Sequence, residues 1–285
     1  MNVFNKLRRK YHSNICSKLL GNVKGYPNIA DVSSKSSILL SNGIINEIGL
    51  KLCEKPPSSQ TIGAEFSIIT LDFINMAFKY LNHLRPGKWI FSASQARIGI
   101  AAFDQYEHLL ALKKLMAENK ELSLSLGSDY LITPDIIIAR SPESDKEINR
   151  FQNLVTEGSS LGNLTPLREN RLKLSNPILH ASISCKWTIR SDRVQNTRTE
   201  ALNLIRNRKG NTPHIMAVTA EPLPTRIAAI ALGTGDIDCV YHMALHELVK
   251  SANRDGLADQ YEMLMTMIEG KRLRDISDLL FDLAI

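Results

Sequence analysis

The sequence predicts an α/β fold, with helices flanking a central sheet, on three observations. Asp135-Ile136-Ile137-Ile138-Ala139 is a wholly apolar, β-branched run entered through an acid, the composition of a strand buried on both faces in mid-sheet. Residues 214–220, His-Ile-Met-Ala-Val-Thr-Ala, read the same way. Two long segments carry apolar residues at helical spacing: 63–84 (Phe66, Ile69, Phe73, Ala77, Leu81) and 104–122 (Leu109, Leu112, Leu115, Met116). With 285 residues, 44% of them hydrophobic, the chain can bury one full core, and we read it as a single domain.

In chain order, residues 1–24 read as a basic helix or arm, with Lys6, Arg8, Arg9 and Lys10 clustered. Such an arm suits an organelle transit peptide or a segment lying on DNA, since the first acid is Asp31. Residues 25–37 have loop composition, and a short helix is expected at 42–53, broken by Lys55-Pro56-Pro57. Arg85-Pro86-Gly87 stops the helix at 63–84, and 89–99 reads as a strand. Gly127 and Pro134 bracket a turn before the 135–139 strand, whereas 141–176 is polar and shows no organising pattern. A strand at 180–189 and a helix at 198–207 follow, then the 214–220 strand, two further strands at 227–232 and 237–241, and tail helices at 243–251 and 259–268.

Net charge is +6, a mild excess whose placement is more telling than its size. Between Lys186 and Lys209 stand seven basic residues (Lys186, Arg190, Arg193, Arg198, Arg206, Arg208, Lys209) against Asp192 and Glu200, a plausible phosphate-binding surface. Cys16, Cys53, Cys185 and Cys239 are too scattered for a zinc site or a disulfide framework and read as reduced core thiols. No apolar run is expected to approach the roughly 18 residues of a membrane span, the basic N-terminus lacks a signal-type apolar core, and the cytoplasm is the default location.

The chemistry concentrates at 180–206. Ala181, Ile183, Cys185 and Trp187 alternate with His180, Ser182, Ser184 and Lys186, the period of a half-buried strand that puts Ser184 and Lys186 on one face. Asp135 and Glu200 are hard oxygen donors suited to Mg²⁺, and a lysine beside them could orient a water and offset charge in phosphodiester hydrolysis. Taken singly, each has an ordinary reading: a turn cap for Asp135, a solvated first-turn acid for Glu200, a solvated edge-strand lysine for Lys186.

Pro134-Asp135, Ser184-x-Lys186 and Glu200 together resemble the PD-(D/E)XK nuclease site, in the variant where a serine replaces the second acid and a glutamate from the next helix takes over. The likeness to type II restriction endonucleases runs from about residue 60 onward and is dense at 180–193, 207–210, 213–215, 219–222, 230–234 and 271–279. It implies a restriction-endonuclease-like nuclease domain over 1–285 with a central mixed sheet, and a Mg²⁺-dependent enzyme that binds double-stranded GCCGGC. Such an enzyme cuts after the first G to leave 5′-CCGG ends and works as a homotetramer, a dimer of dimers, without a membrane. Asp135, Glu200 and the Cys185 carbonyl would hold the metal, with Ser184 and Lys186 beside them.

Base-reading segments would lie at about 25–37, 187–194 and 222–228. Arg190, Ser191, Asp192 and Arg193 would read the inner bases, since arginine forks onto guanine and aspartate accepts from cytosine. Arg226, Asp31 and Ser33 would contact the outer pair, and Gln60 the minor groove. The family places a glutamate after a phenylalanine early in the long helix, where this chain has Phe66-Ser67; Glu65, two residues earlier, could substitute only if the helix start shifts register. The same scaffold reading another CCGG-core hexamer, or a cleavage-deficient DNA-binding protein, are the alternatives.

Overall fold

A computed structural model describes residues 2–93, 98–119, 121, 132–169, 175–233, 235–254 and 256–285, with the side chains of 191–193 outside the description. Its centre is a six-stranded sheet in the order β3 (Trp89–Ala93), β4 (Ile136–Arg140), β5 (Ile178–Lys186), β6 (His214–Thr219), β7 (Cys239–His242), β8 (Leu273–Asp275). The first three strands pair antiparallel and β5 to β8 pair parallel, so the sheet is mixed, as expected. Parallel strands need covered crossovers. These are α6 (Ser191–Asn207) between β5 and β6, α7 (Pro224–Ala231) between β6 and β7, and α8 (Leu245–Ala252) with α9 (Ala258–Glu269) before β8. The chain closes on α10 (Asp278–Asp282).

Helix α3 (Ser59–Leu81) packs on the sheet through Ile62, Phe66, Ile69, Phe73 and Ala77, with Phe66 edge-on to Trp187 and Phe78 edge-on to Trp89 and Phe91. Contrary to the expectation that no apolar run approaches a membrane span, its 23 residues are long and apolar enough by composition to cross one; half of an 18-residue apolar window within it is buried here against the core. α1 (Val3–Lys18) lies beside α3, burying Tyr11, Ile15 and Cys16. Rather than extending as an arm, it is pinned by Arg8, whose guanidinium meets Glu247 at 2.6 Å and the fully buried Asp275 at 2.7 Å. Cys16, Cys185 and Cys239 are buried free thiols, and Cys53 is half-buried and free.

Several expectations are corrected. Residues 227–232 are not a strand: Pro224 presets the first turn of α7, and Ile227, Ile230 and Ala231 bury at helical spacing. The early helix is α2 (Lys35–Ile48), capped by Ser34 and ended by Gly49 at φ +64°, and so starts earlier than 42. Residues 22–27 form a hairpin, β1 (Asn22–Val23) and β2 (Tyr26–Pro27), turned by Lys24 and Gly25, both at positive φ. In α4 (His108–Glu118), Leu109 and Met116 bury but Leu115 faces out. β5 is no half-buried strand, for both its faces are covered: His180 is held by the Leu283 carbonyl at 2.8 Å, and Ser182 is buried.

Of the predicted elements, residues 94–97 of the 89–99 strand, 120 and 122 of the 104–122 helix, and Gly127 of the turn lie outside the described residues. Within 141–176, a loop carrying the short helix α5 (Asp145–Ile148) is ordered around buried Arg168, which bonds Asp145, Asn163 and the carbonyls of Thr156 and Leu161. Phe151, Leu154, Leu161 and Leu164 stand exposed on it.

Candidate active site

The antiparallel register of β4 on β5 pairs Ile136 with Ile183. Asp135, one residue before β4, is thereby set beside the C-terminal end of β5. Its Oδ2 accepts the Cys185 main-chain N–H at 2.8 Å and faces Lys186 Nζ at 3.2 Å. The acid and the lysine, 51 residues apart in sequence, are one ion pair, because two strands end side by side.

Glu200 approaches from α6, the helix that β5 feeds. Burial pushes its carboxyl above the ordinary glutamate range; Lys186 pulls it back, and the like charge of Asp135 adds to the rise. All three groups therefore share one electrostatic site. Ser184, two residues before Lys186 on β5, has a buried hydroxyl without a hydrogen-bond partner among the described residues. Cys185 points the other way: its thiol is hydrogen-bonded to Ser67 and driven upward by burial, so only its main chain faces the acids.

The donor set tests whether a cation fits. Two carboxylates, the Cys185 carbonyl and an orphaned hydroxyl are hard oxygen donors, and no cluster of three or more His, Cys, Asp or Glu side chains exists among the described residues. This donor set fits a hard divalent ion completed by water and phosphate oxygens.

Lys186, Trp187 and Glu200 line a groove of about 770 Å³ together with Tyr26, Gln60, Gly63 and Arg190. A second hollow of about 830 Å³ adjoins it, sharing Asn28, Ala30, Val32, Thr188 and Arg190 and adding Asp31 and Arg226. Asp31 and Arg226, 195 residues apart, are ion-paired. Ser33 donates to Asp31 through both its hydroxyl and its N–H, and these bonds, with Arg226, hold the Asp31 carboxyl below the usual range. The structure thus sets Lys186, Glu200, Arg190, Gln60, Asp31 and Arg226 along these adjoining hollows, with Asp135 paired to Lys186, Ser33 bonded to Asp31, and the Ser184 hydroxyl buried two residues before Lys186.

Residues 190–193 are not a free turn. Arg190 caps α6 and Ser191, Asp192 and Arg193 form its first turn; those three side chains lie outside the description. Glu65 is not among the groove's lining residues: of the described residues of α3, which begins at Ser59, it is Ser59, Gln60, Ile62 and Gly63 that line it. Ser67 is buried, donates to the Gly63 carbonyl and leaves no carboxylate there.

Residues 11–285 match the family described as NgoMIV restriction enzyme. The type II restriction enzyme NgoMIV of Neisseria gonorrhoeae is 46% identical over 287 residues, covering 99% of each chain. The chain belongs to the NgoMIV restriction enzyme family. Among solved structures, the type IIF restriction endonuclease Bse634I with cognate DNA is similar at 14% identity, covering 94% of this chain and 92% of that one, with a TM-score of 0.38. A PspGI–substrate DNA complex is similar at 14% identity, 99% and 92% coverage, and a TM-score of 0.32.

As a member of the NgoMIV family the chain is a site-specific DNA nuclease, and enzymes of this type require a divalent metal. One feature of the cleft escaped sequence reading. Glu221, on the link between β6 and α7, is fully buried beneath Arg226. Burial raises its carboxyl, against the N–H groups of Ile189 and Leu223 and the charge of Arg226. Residues 220–223 form neither helix, strand nor turn, and although 219–222 is one of the stretches of family likeness, nothing local signals the role of Glu221.

Proposed function

We propose that this NgoMIV-family nuclease hydrolyses double-stranded DNA at GCCGGC, cutting after the first G of each strand to leave 5′-CCGG ends, with Mg²⁺ as its metal. What supports the reading is the convergence of Asp135, Lys186 and Glu200 at one end of a cleft whose other end carries Arg190, Asp31 and Arg226. Asp135, Glu200 and the Cys185 carbonyl would hold Mg²⁺, which when bound polarises the scissile phosphate and lowers the pKa of a water. Lys186, anchored by Asp135, orients the attacking water and offsets the charge that develops on the phosphate. Glu200 must be ionised to serve, and Lys186 opposes its upward shift. Ser184 offers a hydroxyl to the same water network.

Arg190, Asp192 and Arg193 suit an all-G·C core: arginine donates twice to guanine O6 and N7, and aspartate accepts from cytosine N4. Ser191 borders them. Arg226, Asp31 and Ser33, already tied together, read the outer pair, and Gln60 faces the minor groove. The recognition segments are 25–37, 187–194 and 222–228 of one nuclease domain in a cytoplasmic enzyme. A homotetramer of back-to-back dimers belongs to the same reading, and the exposed Phe151, Leu154, Leu161 and Leu164 offer apolar surface for such association. Digestion of DNA of known sequence with Mg²⁺, followed by sequencing of the ends, tests the specificity. Ends beginning 5′-CCGG within GCCGGC are expected. Ends within other hexamers would replace the target, and intact DNA would leave only a binding protein.

A further inference from the structure

The Glu221 side chain has no exposure to solvent. Its Oε2 accepts the Ile189 N–H at 2.8 Å, its Oε1 accepts the Leu223 N–H at 3.1 Å, and Arg226 Nη1 stands 3.9 Å from Oε2. Its own backbone is also tied: the N–H donates to Thr219 Oγ1 at 3.1 Å, and the carbonyl meets His242 Nε2 at 3.1 Å. A carboxylate removed from water persists only where hydrogen bonds and a cation compensate it. Here those partners come from two different segments. Ile189 immediately precedes Arg190, and Leu223 caps the helix that bears Arg226. Arg226 in turn pairs with Asp31, so a third segment is tied to the same acid at one remove.

We propose that Glu221 is a positioning residue for base recognition: it fixes the separation between the Arg190–Arg193 segment and Arg226, so that inner and outer base pairs are read as one unit. This rests on the reading of those arginines as base contacts. Glu221 itself touches no base.

Glu221→Gln keeps the volume but turns one acceptor into a donor that faces an N–H. The readout is kcat/KM on a GCCGGC duplex divided by that on ACCGGT, which differs only in the outer pair, measured well below the Tm of both proteins. The ratio should fall about tenfold, the scale of one lost charge-assisted hydrogen bond. A lower Tm with an unchanged ratio means a merely structural role and overturns the proposal. Arg226→Ala, assayed in parallel, separates the two claims. Lost discrimination there with none lost in Glu221→Gln overturns the clamp alone; none lost in Arg226→Ala overturns the recognition reading and the clamp with it. Should Glu221→Gln not fold, amide exchange in the unaltered protein decides. Slow exchange at Ile189 and Leu223, both free and bound to GCCGGC in Ca²⁺, supports the clamp, and fast exchange at either overturns it.

Discussion

Replacing Lys186 by Ala removes a positive charge that acts on both acids of the site. Lys186 Nζ lies 3.2 Å from Asp135 Oδ2 and holds the Glu200 carboxyl down against burial and against Asp135. Two effects follow. Loss of a positioned donor at a developing charge costs about 10² to 10³ in rate, about 2.7 to 4 kcal/mol. The Glu200 carboxyl, already high, rises further, so its ionised form is reached only at higher pH. The mutant's deficit should therefore be greatest at acid pH and narrow as pH rises. Single-turnover cleavage of a GCCGGC duplex in Mg²⁺ across pH measures both, while anisotropy in Ca²⁺ should show affinity within about tenfold of the parent, as expected when one of several phosphate contacts is lost. Cleavage within tenfold of the parent, or a pH profile displaced toward acid, would refute the reasoning.

Affinity for DNA should fall by about 10³ or more between 50 and 200 mM salt if six or more phosphates are contacted, and a flat response in a binding titration would displace the Lys186–Lys209 patch from the interface. Arg8→Met leaves Glu247 and the fully buried Asp275 without their cation and should destabilise the fold by about 3 to 5 kcal/mol in denaturant unfolding. Asp275 is held down to about 2 in the folded chain, despite burial, by Arg8 and Ser277, so its contribution is complete above the ordinary aspartate pKa near 3.9 and is lost as pH falls toward 2. Acid unfolding curves should show that loss in the parent and not in the mutant. A tetramer should cut a plasmid with two sites faster than one with a single site at equal site concentration, and equal rates would count against it.

Much of the sheet was legible because burial on both faces writes itself as unbroken apolar runs, as in 136–139 and 214–219. The start of α6 was not, because Arg190 caps it without a side-chain hydrogen bond and no Ser or Asp stands at that position. α7 reads as a strand from sequence, since Ile227, Ile230 and the intervening alanines satisfy either period and only Pro224 signals the helix. β8, three residues long, is too short to show a period. Asp135, Lys186 and Glu200 were singled out as chemical types and joined by family resemblance; their meeting depends on strand register, which no local pattern carries. The pairs Arg226–Asp31 and Arg8–Asp275 and the clamp at Glu221 span 195, 267 and 32 residues, and composition is silent about such distances.

The central claim is that Asp135, Lys186 and Glu200 act on one phosphodiester. A crystal structure of the protein on a GCCGGC duplex in Ca²⁺ tests it most directly. The account predicts one cation within about 2.3 to 2.6 Å of carboxylate oxygens from both Asp135 and Glu200, with Lys186 Nζ against the phosphate between the first G and the following C. A cation or scissile phosphate seated away from these three side chains would contradict it.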